Sequence, residues 1–136
     1  MADLTVTAKL VGPTIMAARI RDHVVLADIP EAMGGTDIAP LPPEIFLASL
    51  AQCFGMVAAL HCRSREIPCQ GLEVTVTADK AKDDDGSEYW TNIKMHARIP
   101  GDLDRQRLEA MGRHAKLLCS VRGTIIRDQE IDVTIE

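Results

Sequence analysis

Apolar and polar residues alternate without error in four stretches: Leu4–Leu10, Leu72–Ala78, Ile93–Ile99 and Ile131–Ile135. A period of two sends successive side chains to opposite faces, so each stretch predicts a strand with one face in a core and one in water. Shorter strands are expected at Ile15–Ile20 and Val24–Ala27, punctuated by Gly12-Pro13 and Arg21-Asp22. The acidic run Asp83-Asp84-Asp85-Gly86-Ser87 separates two of the strands and reads as a hairpin tip. It is too short for the ligand spacing of an EF-hand calcium loop.

The pattern changes at Pro42-Pro43, whose fixed φ suits the first helical positions. Glu44 follows in the first turn, where a carboxylate complements the macrodipole. The helix is expected to run to about Glu66 and to stop before Pro68. Its segment Ile45–Cys62 is apolar nearly all round and touches the lower length limit for a membrane span. Ser49, Gln52, Gly55 and His61 interrupt it and no second span exists, so it reads as a buried central helix rather than a membrane segment. One sheet covers only one side of such a helix, and the simplest cover for the rest is a second copy of the chain. A second helix is expected over Leu103–Leu118, with Asp102 as N-cap and Leu108, Met111, Ala115 and Leu118 on one stripe. The expected architecture is α+β: one domain over residues 1–136, antiparallel sheets packed on a long central helix.

Composition narrows the function. The 136 residues are 46% hydrophobic, 26% charged and only 3% aromatic, which is globular composition with an aliphatic core. Fifteen basic against twenty acidic residues leave a net charge of −5, with no basic footprint and no set of stacking aromatics for nucleic acid. The same balance argues against an anionic membrane surface. Residues Met1 to Lys9 carry no apolar signal core, so a reducing, cytoplasmic location is expected. No cofactor motif and no Cys/His pair at zinc spacing appears, so neither a cofactor nor a metal is expected.

The candidate chemistry lies in Cys53, Cys62, Cys69 and Cys119. Cysteines in a reducing location are buried, catalytic or redox-active more often than disulfide-bonded. Cys53 sits mid-helix, nearly three turns from the helix start and beyond the reach of its dipole, with Phe46, Leu50 and Met56 as apolar neighbours. Cys62 is nine residues on, about 180° round the helix and roughly 13 Å along it, so it cannot pair with Cys53. Cys62 and Cys69 read as bystanders. Cys119 closes the second helix beside the glycine-bearing segment Ser120-Val121-Arg122-Gly123, which is expected to be a mobile loop of the kind a resolving thiol needs. Ser49 is a poor hydrolase nucleophile, because no GxSxG elbow surrounds it. The turn-rich segment Ala27–Pro43 precedes the long helix, a common place for a site.

The string Pro30-x-x-Met33-Gly34-Gly35-Thr36-Asp37-x-x-Pro40-x-Pro42-x-Glu44-x-Phe46-Leu47-Ala48-Ser49-Leu50-Ala51-x-Cys53 resembles the OsmC/Ohr family, the osmotically inducible protein C and organic hydroperoxide resistance proteins. Arg65-x-Ile67-Pro68, Leu72-Glu73-Val74-x-Val76, Cys119-Ser120-Val121 and Thr124-Ile125 extend the match over nearly the whole chain. The resemblance implies an OsmC-like, intertwined α+β homodimer with the long helices packed centrally. It also implies a thiol-dependent organic hydroperoxide reductase, with Cys53 as the peroxidatic and Cys119 as the resolving cysteine, turned over by a small or lipoyl dithiol. The family's peroxidase branch carries an Arg–Glu pair that orients the thiolate. Its glutamate lies ten residues before the reactive cysteine, where this chain has Pro43, which resembles an OsmC-like branch lacking that glutamate. Glu44 is turned about 180° from Cys53 and reads instead as a helix-start carboxylate. Arg21-Asp22-His23 resembles the RGH stretch of the less-characterised branch, which favours Arg21 over Arg19 as the supporting cation. The alternative function is a non-catalytic OsmC-like dimer that binds an apolar or acyl ligand in the same pocket.

Overall fold

The computed structural model describes residues 2–136, and the chain divides into two compact units at the junction of Phe46 and Leu47. In the first unit, β1 (Thr7–Leu10), β2 (Met16–Ile20) and β3 (His23–Ala27) form an antiparallel sheet in the order β1-β2-β3. Thr7 lies opposite Arg19, and Ile20 opposite His23 across the tight turn at Arg21-Asp22. The strand expected from Leu4 starts only at Thr7 and Leu4 is 89% exposed; the register places Val6 opposite Ile20, the last residue of β2, and Leu4 and Thr5 beyond its end.

The turn-rich segment after β3 is built round a carboxylate. Asp28 is 1% exposed and accepts from the Thr14 and Thr36 hydroxyls, each at 2.6 Å. It also accepts from the backbone N–H groups of Ile29, Thr36 and Ile38. The Thr14 and Thr36 hydroxyls, opposed only by burial, hold its carboxyl well below the usual carboxylate range. The paired glycines make this possible. Gly34 has φ 91°, and a Cβ on Gly35 would stand 2.0 Å from the Ile29 carbonyl oxygen.

Helix α1 (Pro42–Ser64) begins as expected. Glu44 Oε1 accepts the Leu41 N–H at 2.9 Å, so this carboxylate is engaged in capping the helix start. The helix ends two residues before Glu66, where the N–H groups of Arg65 and Ile67 both bond to the Cys62 carbonyl.

In the second unit, β4 (Glu73–Lys82) and β5 (Glu88–Arg98) form an antiparallel hairpin. Both are longer than the alternation predicts. A register shift between Thr77 and Asp79 breaks the period-two pattern, and pairing resumes beyond it. Asp83–Ser87 is the hairpin tip, closed by Asp83 N–H to the Ser87 carbonyl and Gly86 N–H to the Asp83 carbonyl. One stripe of α1, Leu50, Phe54, Ala58 and Cys62, is buried in a core shared with Val74, Val76, Ile93, Met95 and Ala97 of the hairpin. Gly55 faces Val74: a Cβ there would meet Val74 Cγ2 at 3.4 Å, an ordinary packing distance. On the opposite side of α1, Met56 and Leu60 are 63% and 54% exposed.

Helix α2 (Arg105–Leu118) starts two residues later than the pattern suggests. Asp104, not Asp102, is the N-cap, because its side chain reaches the Arg107 N–H at 2.9 Å while the chain remains non-helical before it. Met111 and Ala115 are buried, but Leu108 and Leu118 are not. The segment after Cys119 is not a loop: it forms a third helix, α3 (Ser120–Ile125). The predicted strand Ile131–Ile135 does not form. It pairs with none of the described strands, and a strand without a partner leaves its backbone groups to water.

Candidate active site

Cys53 and Cys119, 66 residues apart in sequence, meet in the second unit. Helix α1 presents Cys53, which is half-buried, one turn beyond the buried Leu50. Cys119 joins two helices and is 1% exposed. Its ψ of 97° breaks the helical run, making it at once the C-cap of α2 and the N-cap of α3. Its N–H bonds to the Ala115 carbonyl and its own carbonyl accepts the Gly123 N–H, each at 2.9 Å. The break aims the unpaired N–H groups at the start of α3 toward Cys53.

The electrostatics separate the two thiols. Burial pushes the Cys53 thiol up. The Val121 N–H, the Cys119 thiol, and the hydroxyl and N–H of Ser120 outweigh that penalty and bring it below its ordinary value. The Ser120 hydroxyl oxygen lies 3.9 Å from Cys53 Sγ. Burial raises the Cys119 thiol and the neighbouring Cys53 sulfur raises it further, against donation from the Arg122 and Val121 N–H groups. Cys53 is therefore the thiol favoured as thiolate and Cys119 the one favoured in its protonated form. That division suits a nucleophile beside a second thiol that follows it in reaction.

Sequence reading excluded a helix-dipole effect at Cys53 on the ground that its own helix starts too far away. The structure supplies the N–H groups from a different helix, α3, which the sequence pattern did not reveal. A 260 Å³ pocket in the same unit is lined by Leu50, Ile93, Met95, Arg122, Ile125 and Ile126; Leu50 lies one helical turn before Cys53, and neither Cys53 nor Cys119 lines the pocket. Of the expected apolar neighbours, only Leu50 lines it; Phe46 and Met56 are exposed on α1. Arg122 carries no signal in the sequence, where it falls in an expected loop.

Arg21 stands in the β2–β3 turn of the first unit with φ 54°, its carbonyl accepting from Arg19 Nε at 3.3 Å. No role beside Cys53 follows from that position alone. Cys62 and Cys69, read as bystanders, are brought together. Burial and hydrogen bonding to Cys69 push the Cys62 thiol up to about 11. Its thiol also reaches Met111 Sδ at 3.5 Å. Among the described residues no group of three or more His, Cys, Asp or Glu side chains is placed to hold a metal ion.

The comparisons with known proteins agree on the fold. A family model described as OsmC-like protein matches residues 34–136. An OsmC-like protein from Mycoplasma pneumoniae superposes with a TM-score of 0.78 at 20% identity, covering 91% of this chain and 87% of that one. An organic hydroperoxide resistance protein from Legionella pneumophila gives 0.69 at 22% identity, with 93% and 92% covered. The organic hydroperoxide resistance protein OhrB of Bacillus subtilis gives 0.65 at 22% identity, with 92% and 91% covered. No curated protein matches the chain.

Proposed function

The chain belongs to the OsmC-like family, and from that premise we propose that it is a thiol-dependent organic hydroperoxide reductase. The observation that carries the reading is the neighbouring placement of two thiols: Cys53, lowered by hydrogen-bond donors and 3.9 Å from the Ser120 hydroxyl, and Cys119, next to Ser120 in the chain and raised by burial. Cys53 thiolate attacks the terminal oxygen of the hydroperoxide. The O–O bond breaks, the organic alkoxide takes up a proton and leaves as the alcohol, and Cys53 becomes a sulfenic acid. The Cys119 sulfur then attacks the Cys53 sulfur and displaces water, leaving a Cys53–Cys119 disulfide. A dithiol reductant, small or lipoyl, restores both thiols by exchange and is itself oxidised to a disulfide.

An organic rather than an inorganic peroxide is proposed on the apolar pocket that Leu50, one turn before Cys53, lines with Ile93, Met95, Ile125 and Ile126. Arg21 is proposed as the supporting cation on the resemblance of its segment alone. The working assembly is proposed to be a homodimer, on the exposed Met56 and Leu60 of α1 and the unpartnered apolar positions of Ile131–Ile135. A cytoplasmic location suits a cycle that begins and ends with free thiols.

Pro43, in place of the carboxylate of the peroxidase branch, favours a second reading: a dimer that holds an apolar or acyl ligand in the same pocket without turnover. Intact mass after one equivalent of cumene hydroperoxide separates the two. Loss of two hydrogens per chain, abolished in Cys53→Ser and in Cys119→Ser, is expected for the reductase. An unchanged mass overturns it in favour of the binding protein.

A further inference from the structure

Apart from Cys53 and Cys119, the second unit holds another pair of neighbouring cysteines. Cys62, in the last turn of α1, is fully buried, and Cys69 is half-buried on the loop between α1 and β4. Both belong to the same packed core. Hydrogen bonds from the Arg65 and Ile67 N–H groups to the Cys62 carbonyl, at 3.1 and 2.9 Å, reverse the chain behind the helix. Glu66 makes the reversal with φ 54°. A bond from the Leu72 N–H to the Cys69 carbonyl, at 3.1 Å, anchors the far side of the loop. The loop is thus held at both ends and returns Cys69 to the core beside Cys62, as a neighbour of its thiol. Cys53 lies roughly 13 Å away along α1 and on its other face, too far to exchange with Cys62 directly.

We propose that Cys62 and Cys69 are a second redox-active dithiol, which closes to an intramolecular disulfide by exchange with small-molecule disulfides. Cys69, the more accessible of the two, attacks as thiolate one sulfur of the incoming disulfide. That S–S bond breaks, one small thiolate leaves and takes a proton from water, and Cys69 holds a mixed disulfide. Cys62 then loses its proton to water, and its sulfur attacks the Cys69 sulfur. The second small thiol leaves. Two protein thiols have been oxidised and one small disulfide has been reduced to two thiols. Burial makes Cys62 the reluctant partner, so ring closure is the slow step and rises about tenfold per pH unit through the neutral range. The same burial shields Cys62 from direct attack, which orders the two steps. Closure also draws the Cys62 sulfur from Met111 Sδ on α2, the helix that ends at Cys119.

The test uses the full chain carrying Cys53→Ser and Cys119→Ser, so that failure of the peroxidase reading leaves it unaffected. The folded protein is incubated with oxidised glutathione at pH 8, quenched with acid and alkylated, and its intact mass is read without reduction. The expected product has lost two hydrogens, carries no alkyl group and carries no glutathione. Trypsin, cutting after Arg63 and Arg65, should then release a cross-linked peptide pair containing Cys62 and Cys69. Adding Cys62→Ser should instead leave one stable glutathione on Cys69. A persistent glutathione adduct in the double variant, alkylation of both cysteines, a cross-link between two chains, or closure only in urea would each overturn the proposal. Peptide mapping of the unmodified chain after the same treatment supplies the answer if the double variant does not fold.

Discussion

Replacing Ser120 by proline probes the Cys53 thiol without touching either cysteine. Ser120 is the first residue of α3, and Cys119 before it is extended, with φ −71° and ψ 97°. Proline favours the first helical position and requires an extended residue ahead of it, so the backbone already has the conformation the ring needs. The substitution deletes two donors at once, the Ser120 hydroxyl 3.9 Å from Cys53 Sγ and the Ser120 N–H. The Val121 N–H and the Cys119 thiol remain. A hydrogen bond to a charged group contributes about 1.5–3 kcal/mol. Cys53 is only half-buried and the hydroxyl contact is long, so the two donors together are set at about 1.5 kcal/mol, the lower bound for one. That is about a tenfold fall in the acid dissociation constant of the thiol. The surviving thiolate is more basic and a better nucleophile, with a Brønsted slope of about 0.4–0.5, which recovers roughly threefold. Alkylation of Cys53 below the midpoint of its pH profile should therefore slow about three- to fourfold, and the midpoint should move to higher pH. Iodoacetamide labelling across pH, resolved by peptide mass spectrometry, reads both quantities. Ser120→Ala, which removes the hydroxyl alone, should fall between the proline variant and the parent. An unchanged profile in a folded Ser120→Pro protein, or a larger effect from alanine than from proline, would refute the assignment of these donors to Cys53.

Three further outcomes are expected. Cys119→Ser should consume one equivalent of cumene hydroperoxide and then stop, with Cys53 trapped as a sulfenic or over-oxidised acid in the mass spectrum, whereas Cys53→Ser should consume none. Gly35→Ala should destabilise the first unit by about 1–3 kcal/mol in urea denaturation, because the new Cβ would stand 2.0 Å from the Ile29 carbonyl oxygen and 2.5 Å from Ile29 Cγ1. Burial, then the Arg65 and His114 charges, hold the His61 imidazole below its ordinary value, so the unfolded chain binds the proton more tightly than the folded one. The contribution is present above pH about 6.5 and is lost as pH falls below it, by at most about 1.4 kcal/mol per pH unit. Chemical denaturation from pH 7 to 5 should show that slope in the parent and a shallower one in His61→Phe.

Much of the architecture was legible because period-two alternation and proline punctuation are local signals. The β2–β3 turn, the 83–87 hairpin tip and the start of α1 at Pro42 all follow from neighbouring residues. Cys53 and Cys119 were legible through the family string rather than through physics, since a mid-helix cysteine usually packs as a small hydrophobe. The donors to Cys53 were not legible, because they depend on one backbone angle. Had Cys119 kept helical ψ, α2 would run on into α3 and the N–H groups of Ser120 and Val121 would be bonded inside it. Asp28 carried no signal either. Its ligands come from Thr14, Thr36 and backbone groups up to ten residues away, and nothing at position 28 announces them. The nearness of Cys62 to Cys69 was not legible either: Pro68 marks a loop, but that the chain reverses at Glu66 and so returns Cys69 to the core is not announced by the residue at position 66.

The places where pattern and single chain disagree point the same way. Leu4 and Val6, the tail at Ile131–Ile135, and Met56 and Leu60 on α1 are apolar positions left in water. Alternation states that one face is buried, but not by what. Energetics distinguish these positions. Burying Ile131, Val133 and Ile135 would contribute about 1.5–3 kcal/mol each, while ordering the five residues that carry them costs about 1–2 kcal/mol apiece. The tail therefore comes close to balance and cannot by itself drive association. Met56 and Leu60 are already fixed on a formed helix, so covering them costs little further backbone order, although the stripe turns polar at Gln52 one turn earlier and at Ser64 one turn later. In the proposed dimer the α1 stripes would supply the net attraction. The terminal strand would then pair because a neighbouring edge had been brought within reach, which explains why the strand pattern is strong in the sequence and absent from the isolated chain.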